Sequence, residues 1–196
     1  MIKIGLTGGI GSGKSYVANF FSKLGIPVYN SDERGKHLMR NDVLVKEKLI
    51  EAFGPESFTL KGLNREFLSR LVFNDRNKLE TINKIVHPAV QSDFEQWVQK
   101  NANSPYVIKE AAILIESGAY KTLNSLIVVT APTAIRISRV IERDNMSKSD
   151  IEKRIANQMS DQDRISYGNF IINNDGIMLV KKQVHEIHNK ILNNSE

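Results

Sequence analysis

A glycine-rich segment near the start of the chain has the residue types and the spacing of a phosphate-binding loop. Residues 8–15 read Gly-Gly-Ile-Gly-Ser-Gly-Lys-Ser and satisfy the pattern G-x-x-x-x-G-K-[ST] at every fixed position. Glycines let successive backbone N–H groups turn toward a polyphosphate, and the positive end of a following helix adds to the attraction. We expect Lys14 to bridge the β- and γ-phosphates and the Ser15 hydroxyl to ligate Mg²⁺. A dinucleotide-binding G-x-G-x-x-G fingerprint does not fit, because Lys14 stands where its third glycine would be.

The elements that position this loop predict an α/β fold. Apolar, β-branched strand patterns alternate with helical patterns, which favours a five-stranded, mostly parallel sheet flanked by helices. The first strand leads directly into the loop, and the first helix leaves it. The predicted strands cover residues 2–7, 27–29, 106–109, 125–130 and 169–172, and the predicted flanking helices cover 14–24 and about 177–192.

Two helical segments interrupt this alternation. Between the second and third strands, about 75 residues show no clear strand, which is too long for a simple crossover. We therefore predict one domain that consists of a core (about 1–31, 104–132 and 165–196), a helical insert (about 32–103) and a helical lid (about 133–164). The predicted helices are 43–53, 64–73, 76–86 and 88–100 in the insert, the last two divided at His87-Pro88, and about 133–143 and 148–158 in the lid.

The composition excludes several classes of protein. The 196 residues include 41% hydrophobic side chains and no cysteine, which argues against a disordered chain and excludes disulfides and cysteine chemistry. The apolar runs are too short to cross a bilayer, and the start lacks the apolar segment of a secretory signal. We therefore expect a cytoplasmic protein that has no membrane partner. The net charge of +5 indicates anionic partners, either nucleic acid or small phosphates.

Other residues have types that suit phosphoryl transfer. Asp32 follows the second strand, at the edge where open α/β sheets bind ligands, and could accept a proton from a hydroxyl. The alternative is that Asp32 is the N-cap of a helix over residues 33–39. Arg136, Arg139 and Arg143 share one helix face, which suits either a lid that closes on phosphates or a solvated face. Glu110 could hold a Mg²⁺-bound water or merely end its strand.

Several separated motifs together resemble the dephospho-CoA kinase family, and the resemblance covers about residues 2–180. The opening segment 6–15 is similar to that family's phosphate loop, and Ile85-Val86-His87-Pro88 is similar to its His-Pro step. The other matching segments are 63–65, 113–118, the lid positions Arg139, Arg143-Asp144, Arg154 and Gln158-Met159, and the loop 172–176 that flanks the adenine.

The resemblance implies a P-loop nucleotide kinase-like fold and a defined reaction. That reaction is the ATP-dependent phosphorylation of the ribose 3′-hydroxyl of dephospho-CoA, with Mg²⁺ as the cofactor. It implies that Asp32, Lys14 and Arg143 are catalytic and that Asp32, Arg65 and His87 bind the acceptor. From the residues alone, His87 is expected to be a structural residue at a helix boundary. The implied ATP-binding residues are Gly11, Ser12, Gly13, Lys14, Ser15, Tyr16, Arg139 and Asn174.

The chain departs from the family pattern at a few positions. Asn30-Ser31-Asp32 stands where the family usually has Asp-Ala-Asp, so the last acidic position is kept. The remaining departures are Glu110 for Asp, Ala112 for Pro and Tyr16 for Thr.

Two rival functions remain open at this point. One is a nucleoside or nucleotide monophosphate kinase, and the other is a P-loop ATPase that acts on nucleic acid. Residues 136–164 hold seven basic and six acidic side chains, so no basic stripe favours nucleic acid. We therefore expect ATP and dephospho-CoA as small-molecule substrates and no nucleic-acid partner. The sequence leaves the oligomeric state open.

Overall fold

A computed structural model describes residues 1–73 and 75–193 of the chain. It forms two compact units, of which one comprises Met1–Asn30 and the chain from Asn101 onward, and the other comprises Ser31–Lys100. The last residues of the predicted core, 194–196, lie outside the described residues. The division of the chain into core, insert and lid stays a prediction.

The elements are numbered in chain order. The first part of the chain contains β1 (Ile2–Thr7), α1 (Lys14–Lys23), β2 (Val28–Asn30), α2 (Ser31–Asn41), α3 (Val43–Phe53), β3 (Phe58–Thr59), β4 (Gly62–Leu63), α4 (Arg65–Phe73) and α5 (Arg76–Lys100). The second part contains β5 (Tyr106–Glu110), β6 (Ser125–Thr130), α6 (Thr133–Asp144), α7 (Lys148–Ala156), α8 (Asp161–Ser166), β7 (Phe170–Asn173) and α9 (Val180–Asn193). Among the described helices, none has the length and apolar character needed to cross a membrane.

The first unit is built on the predicted five-stranded sheet. Its strand order is β2-β5-β1-β6-β7, and every neighbouring pair is parallel. The bounds predicted for β1 and β6 are confirmed, and those of the other strands differ by one residue at one or both ends. Because all five strands run in the same direction, their carboxyl ends meet at one edge of the sheet. The central strand β1 therefore delivers the glycine-rich loop to the middle of that edge.

The central strand is fixed by packing on both of its faces. Ile4 and Leu6 are buried in the main core, together with apolar side chains of α1 and α9. Gly5, between them, faces the other side of the sheet, where an added Cβ would lie 2.5 Å from Leu126 Cδ1. This alternation is the period of two that a buried strand imposes. The strand has no room to shift, so the loop that follows it starts from a fixed point.

The second unit is a helical assembly of α2, α3, α4 and α5 with a short antiparallel hairpin, β3–β4. The buried side chains of α5 lie along one face at helical spacing and include Val86, Val90 and Phe94. Arg34 of α2 donates from Nε and Nη2 to the Asp93 carboxylate of α5, at 2.8 and 2.5 Å. Apolar packing and a bidentate ion pair therefore join α2 to α5.

Three predictions about this unit were wrong. The segments 76–86 and 88–100 form one continuous helix, because buried side chains on both sides of Pro88 pack on the same face and outweigh the proline's preference for a boundary. The hairpin β3–β4 was missed, because two-residue strands carry no alternation that a sequence could show. The helix α2 begins at Ser31, so Asp32 lies inside its first turn and is not an N-cap.

The helices after β6 largely follow the prediction. The predicted helices 133–143 and 148–158 correspond to α6 and α7, and α9 begins three residues later than predicted. The short helix α8 was not predicted. Its N-cap is Ser160, whose hydroxyl accepts a hydrogen bond from Asp163 N at 3.1 Å. With six residues, α8 is too short to show an apolar period.

Candidate nucleotide-binding site

The glycine-rich segment forms a loop between β1 and α1, as its motif predicts. Within the loop, Ser12 N donates to Gly9 O at 3.1 Å, and α1 begins with a bond from Val17 N to Gly13 O at 3.0 Å. Lys14 Nζ donates to Gly8 O at 2.9 Å, so the ammonium group lies across the loop's own backbone. This strand–loop–helix geometry collects backbone N–H groups, a helix N-terminus and a cation in one place, which suits a polyphosphate.

Two glycines of the loop stand at positions where a side chain would be strained and would clash. Gly11 has a φ of +76° and Gly13 a φ of +93°, both in the left-handed region. A Cβ at Gly11 would run into the backbone of Arg136, and a Cβ at Gly13 would run into the side-chain amide of Asn174. The loop can therefore lie directly against α6 and the segment after β7 only because these two side chains are absent.

The peptide of Ile10, at the tip of the loop, is bonded on both sides by residues distant in the chain. Ile10 N donates to Gln158 Oε1 at 2.9 Å, and Arg136 Nε donates to Ile10 O at 2.8 Å. Arg136 is only 3% exposed, and its Nη1 lies 2.6 Å from Asp161 Oδ2. The interpretation of Arg136 as part of a solvated face is therefore wrong, whereas the lid stays a prediction. The Arg136 guanidinium is a buried support of the loop.

A second buried arginine extends this support. Arg164 of α8 is fully buried and pairs with Asp161 at 2.9 Å and with Glu116 at 3.2 Å. Asp161 is thus shared between two guanidinium groups, Arg136 and Arg164. The charges of α6, α8 and the segment after β5 are joined in one network, which holds Arg136 at the loop.

Arg139 and Asn174 bind the backbone of the loop at its other end. Asn174 Nδ2 donates to Ser12 O at 2.9 Å, and Arg139 Nη2 donates to Asn174 O at 3.0 Å. The Ser12 hydroxyl is buried and has no hydrogen-bond partner among the described residues. The structure therefore brings together the loop, Arg139 and Asn174, and it leaves the Ser12 hydroxyl able to bond an anion in the loop.

Ser15, Glu110 and Asn30 form a chain of hydrogen bonds beside the loop. Ser15 Oγ donates to Glu110 Oε1 at 3.0 Å, and Asn30 Nδ2 donates to Glu110 Oε2 at 3.2 Å. Glu110 is 5% exposed and ends β5, where Asn30 and Leu6 are its neighbours across the sheet. Because the Ser15 hydroxyl gives its single proton to Glu110, its lone pairs are left for a cation.

This oxygen-rich arrangement fits Mg²⁺ that arrives with a nucleotide. Among the described residues, no cluster of three or more His, Asp or Glu side chains could hold a metal by itself. Mg²⁺ is commonly held by few protein oxygens together with substrate phosphates, and Ser15 backed by Glu110 supplies such oxygens.

The other two predicted residues of this unit are exposed. Arg143, near the end of α6, donates from Nε and Nη2 to both oxygens of Asp144 at 2.8 Å. These bonds raise the pKa of the Arg143 guanidinium and hold the pKa of the Asp144 carboxyl below its usual range. Tyr16 is 55% exposed, and its ring meets that of Phe20 edge-on with centroids 4.9 Å apart.

Three predicted site residues belong to the second unit. Asp32 is exposed in the first turn of α2, and Arg65 is exposed as the first residue of α4. His87 is exposed on α5, where it lines an open depression of about 380 Å³ with Glu80, Asn83 and Lys84.

The sequence did not reveal the roles of four residues that support the loop or Ser15. Arg136 supports the loop, and Gln158 bonds its backbone. Glu110 accepts the hydrogen bond of the Ser15 hydroxyl, and Asn30 donates to Glu110. Arg136 shares its helix face with Arg139 and Arg143, and their spacing did not mark Arg136 as the buried one of the three. Gln158 follows α7 in an irregular segment, and nothing in its surroundings pointed to Ile10. Glu110 was considered for a metal-bound water, but its partner Asn30 was noted only as a departure.

Comparison with known proteins agrees with this geometry. The model of the dephospho-CoA kinase family matches residues 2–179. The chain belongs to the dephospho-CoA kinase family. A dephospho-CoA kinase of Bacteroides fragilis is 38% identical over 186 residues, which are 95% of this chain and 91% of that protein. The chain is therefore a kinase, a nucleotide-binding transferase of coenzyme A biosynthesis.

Solved structures show the same fold. The crystal structure of TT1252 from Thermus thermophilus superposes with a TM-score of 0.84 at 30% identity, covering 98% of this chain and 97% of that one. A dephospho-CoA kinase from Campylobacter jejuni superposes with a TM-score of 0.72 at 21% identity, covering 99% and 98%. The second likeness concerns the fold alone and agrees with a P-loop kinase architecture.

Proposed function

We propose that this member of the family transfers the γ-phosphoryl group of ATP to the ribose 3′-hydroxyl of dephospho-CoA, giving coenzyme A and ADP. The observation that carries the proposal is the loop itself, a glycine-rich turn between β1 and α1 with Lys14 across it and the Ser15–Glu110 bond beside it. Family membership supplies the acceptor. The substrates are then two small molecules, and the reaction takes place in the cytoplasm, where ATP is available.

The loop and its neighbours hold the phosphoryl donor. The backbone N–H groups of Gly11, Gly13 and Tyr16 bind the phosphates together with the Ser12 hydroxyl, and Lys14 leaves the Gly8 carbonyl to bridge the β- and γ-phosphates. Ser15 is the protein ligand of Mg²⁺, which when bound neutralises charge on the phosphates and orients them. Arg139 and Asn174 keep the loop in its binding shape and border the adenosine.

Asp32 is the proposed base of the reaction. Its carboxylate accepts the proton of the 3′-hydroxyl while the hydroxyl oxygen bonds to the γ-phosphorus and the bond to the β–γ bridging oxygen breaks. Asp32 is exposed, which leaves it accessible to an acceptor. Arg65 and His87 bind other parts of the acceptor, whose pyrophosphate suits cationic and hydrogen-bonding side chains.

Arg143 stabilises charge on the transferring phosphoryl group. In the structure the Arg143 guanidinium donates to the Asp144 carboxylate. A phosphoryl oxygen is also negatively charged and would take the place of that carboxylate as the acceptor. A lid movement that brings Arg143 to the phosphates would also exclude water, which could otherwise hydrolyse ATP.

An acceptor panel tests the proposal. Coupled ADP release is measured with ATP and Mg²⁺ and with dephospho-CoA, nucleosides or nucleoside monophosphates as acceptors. Coenzyme A is the matched control, because its 3′-oxygen already carries the phosphoryl group. We expect turnover with dephospho-CoA and none with coenzyme A. Turnover of a nucleoside or a monophosphate, with none of dephospho-CoA, would overturn the assignment of the acceptor.

A further inference from the structure

Asn30 is connected to Ser15 through the Glu110 carboxylate. It ends β2 and is the direct neighbour of Glu110 across the parallel β2–β5 pair. Its Nδ2 donates to Glu110 Oε2 at 3.2 Å, while the other oxygen, Oε1, accepts the Ser15 hydroxyl at 3.0 Å. Both oxygens of the buried Glu110 carboxylate therefore accept hydrogen bonds, one from Asn30 and the other from Ser15.

The direction of these hydrogen bonds determines whether Ser15 presents a lone pair or its proton to a cation. A hydroxyl has one proton and two lone pairs. When the proton points to Glu110, the lone pairs point away from it and can ligate a metal. If Glu110 turned and no longer accepted that proton, the Ser15 proton could face the metal instead. The orientation of the Glu110 carboxylate thus controls whether Ser15 is a metal ligand.

We propose that Asn30 is a positioning residue for the metal–nucleotide site, acting through Glu110 on the Ser15 hydroxyl. The inference rests on the proposed binding of Mg²⁺ with ATP. An amide suits this position because it can donate to the carboxylate and is neutral. A carboxylate at residue 30 has no proton to donate and would set a second negative charge beside Glu110, which is 5% exposed.

The test compares nucleotide affinity with and without metal. Calorimetric titrations of the full-length protein with ATP, in excess Mg²⁺ and in EDTA, give two dissociation constants whose ratio is the metal enhancement. We expect Asn30→Ala to reduce this enhancement about tenfold, as is typical when a residue that orients a metal ligand is removed. The affinity in EDTA should stay close to that of the wild type. A general loss of structure would lower both affinities together, so the ratio separates the two causes.

Exchanging hydrogen-bond donors and acceptors at residues 30 and 110 tests whether Asn30 acts on Ser15 through Glu110. In Glu110→Gln, the side-chain oxygen turns to the Asn30 amide and the side-chain nitrogen donates to Ser15, so the hydroxyl proton faces outward and the enhancement falls. In the double variant Asn30→Asp with Glu110→Gln, the Gln nitrogen donates to Asp and its oxygen again accepts from Ser15. We expect the double variant to regain much of the enhancement that Glu110→Gln loses.

Asn124 provides a matched control. Its side-chain oxygen accepts from Lys3 N at 2.8 Å, so Asn124→Ala also removes one side-chain amide hydrogen bond, but at the segment that precedes β6. The metal enhancement of the Asn124→Ala variant should equal that of the wild type. Equal affinities of the wild type with and without metal would overturn the magnesium assignment itself. A normal wild-type enhancement that Asn30→Ala leaves unchanged, or a double variant no better than Glu110→Gln, would overturn the role of Asn30 alone.

Discussion

Replacing Arg136 with methionine tests whether a buried guanidinium gives the phosphate loop its shape. Methionine keeps a side chain of similar length and removes two polar contacts. These are the bond from Nε to Ile10 O at 2.8 Å and the ion pair of Nη1 with Asp161 Oδ2 at 2.6 Å. Arg136 itself is almost closed to water, at 3% exposed, whereas the Asp161 side chain is 29% exposed.

The size of the effect follows from these two contacts. A buried carbonyl left without a donor costs about 1–3 kcal/mol. Removing one partner of a buried ion pair costs about 3–5 kcal/mol, but Asp161 keeps Arg164 at 2.9 Å, so the lower end applies. Because the bond to Ile10 O is only partly buried and the Asp161 side chain is 29% exposed, the two costs do not add in full, and we expect a loss of about 3–4 kcal/mol in the free energy of unfolding. For a chain of this size, that corresponds to a fall of about 6–16 °C in the melting temperature.

Arg143→Met is the matched control, because it makes the same change seven residues later on the same helix. The Arg143 side chain is 66% exposed and pairs only with its chain neighbour Asp144 in the contacts described, so its loss should leave the melting temperature nearly unchanged. Turnover should instead fall, if Arg143 stabilises the transferring phosphoryl group.

Thermal unfolding followed by circular dichroism, together with calorimetric titration of ATP, measures both effects. Arg136→Met should lose stability and bind ATP at least about tenfold more weakly, because a loop without its support presents its N–H groups poorly. A melting temperature within about 2 °C of the wild type, with unchanged ATP affinity, would refute the support role of Arg136.

Three further predictions concern the chemistry and the pH response. Lys14→Ala should reduce turnover by at least about a thousandfold in a coupled ADP assay while the circular dichroism spectrum stays native, because the transferring phosphates lose their bridging cation. Asp32→Asn should keep the affinity for ATP in calorimetry and lose about 10²–10⁴-fold in turnover, because an amide cannot accept the hydroxyl proton. The third prediction rests on the bond of 2.7 Å between Tyr106 OH and His188 Nδ1. Burial, followed by the nearby His185, lowers the pKa of His188, so the unfolded chain binds a proton more readily and stability should fall as the pH drops below about 6.5. Urea unfolding at several pH values should show a weaker dependence in His188→Gln.

Each of these predictions has an outcome that contradicts it. Turnover of Lys14→Ala within tenfold of the wild type would remove the lysine from the reaction. Near-normal turnover of Asp32→Asn would leave Asp32 as an acidic residue of a helical first turn, where it favours the helix dipole. An unchanged pH dependence in His188→Gln would assign that dependence to other groups.

The sheet and the loop could be predicted because their signals are local. The motif of residues 8–15 fixes a loop between a strand and a helix, and the buried strands show as apolar β-branched runs. Helix α5 was divided wrongly because the preference of Pro88 is local, whereas the packing that overrides it comes from other helices. Elements of two to six residues, such as the β3–β4 hairpin and α8, carry too little pattern to be found.

The site was less predictable because its supports come from contacts between distant residues. Asn174 was placed near the nucleotide by resemblance, and its bond to Ser12 O joins residues that are 162 positions apart. The spacing of three arginines correctly predicted that Arg136, Arg139 and Arg143 lie on one helix face. It did not predict that their side chains are buried to different extents. Arg136 is buried and Arg143 is exposed, and only the position of α6 against the loop separates them.

The bonds to the Ile10 peptide have a consequence for how the chain is made. Gln158 and Arg136 follow Ile10 by 148 and 126 positions, so a ribosome adding about 5–20 residues per second needs roughly 7–30 s to supply the later of them. Throughout that interval the glycine segment has emerged without the groups that set its curvature. We therefore expect full affinity for ATP only after Gln158 has been added, and a polypeptide terminated before Gln158 should bind the nucleotide more weakly than the full chain.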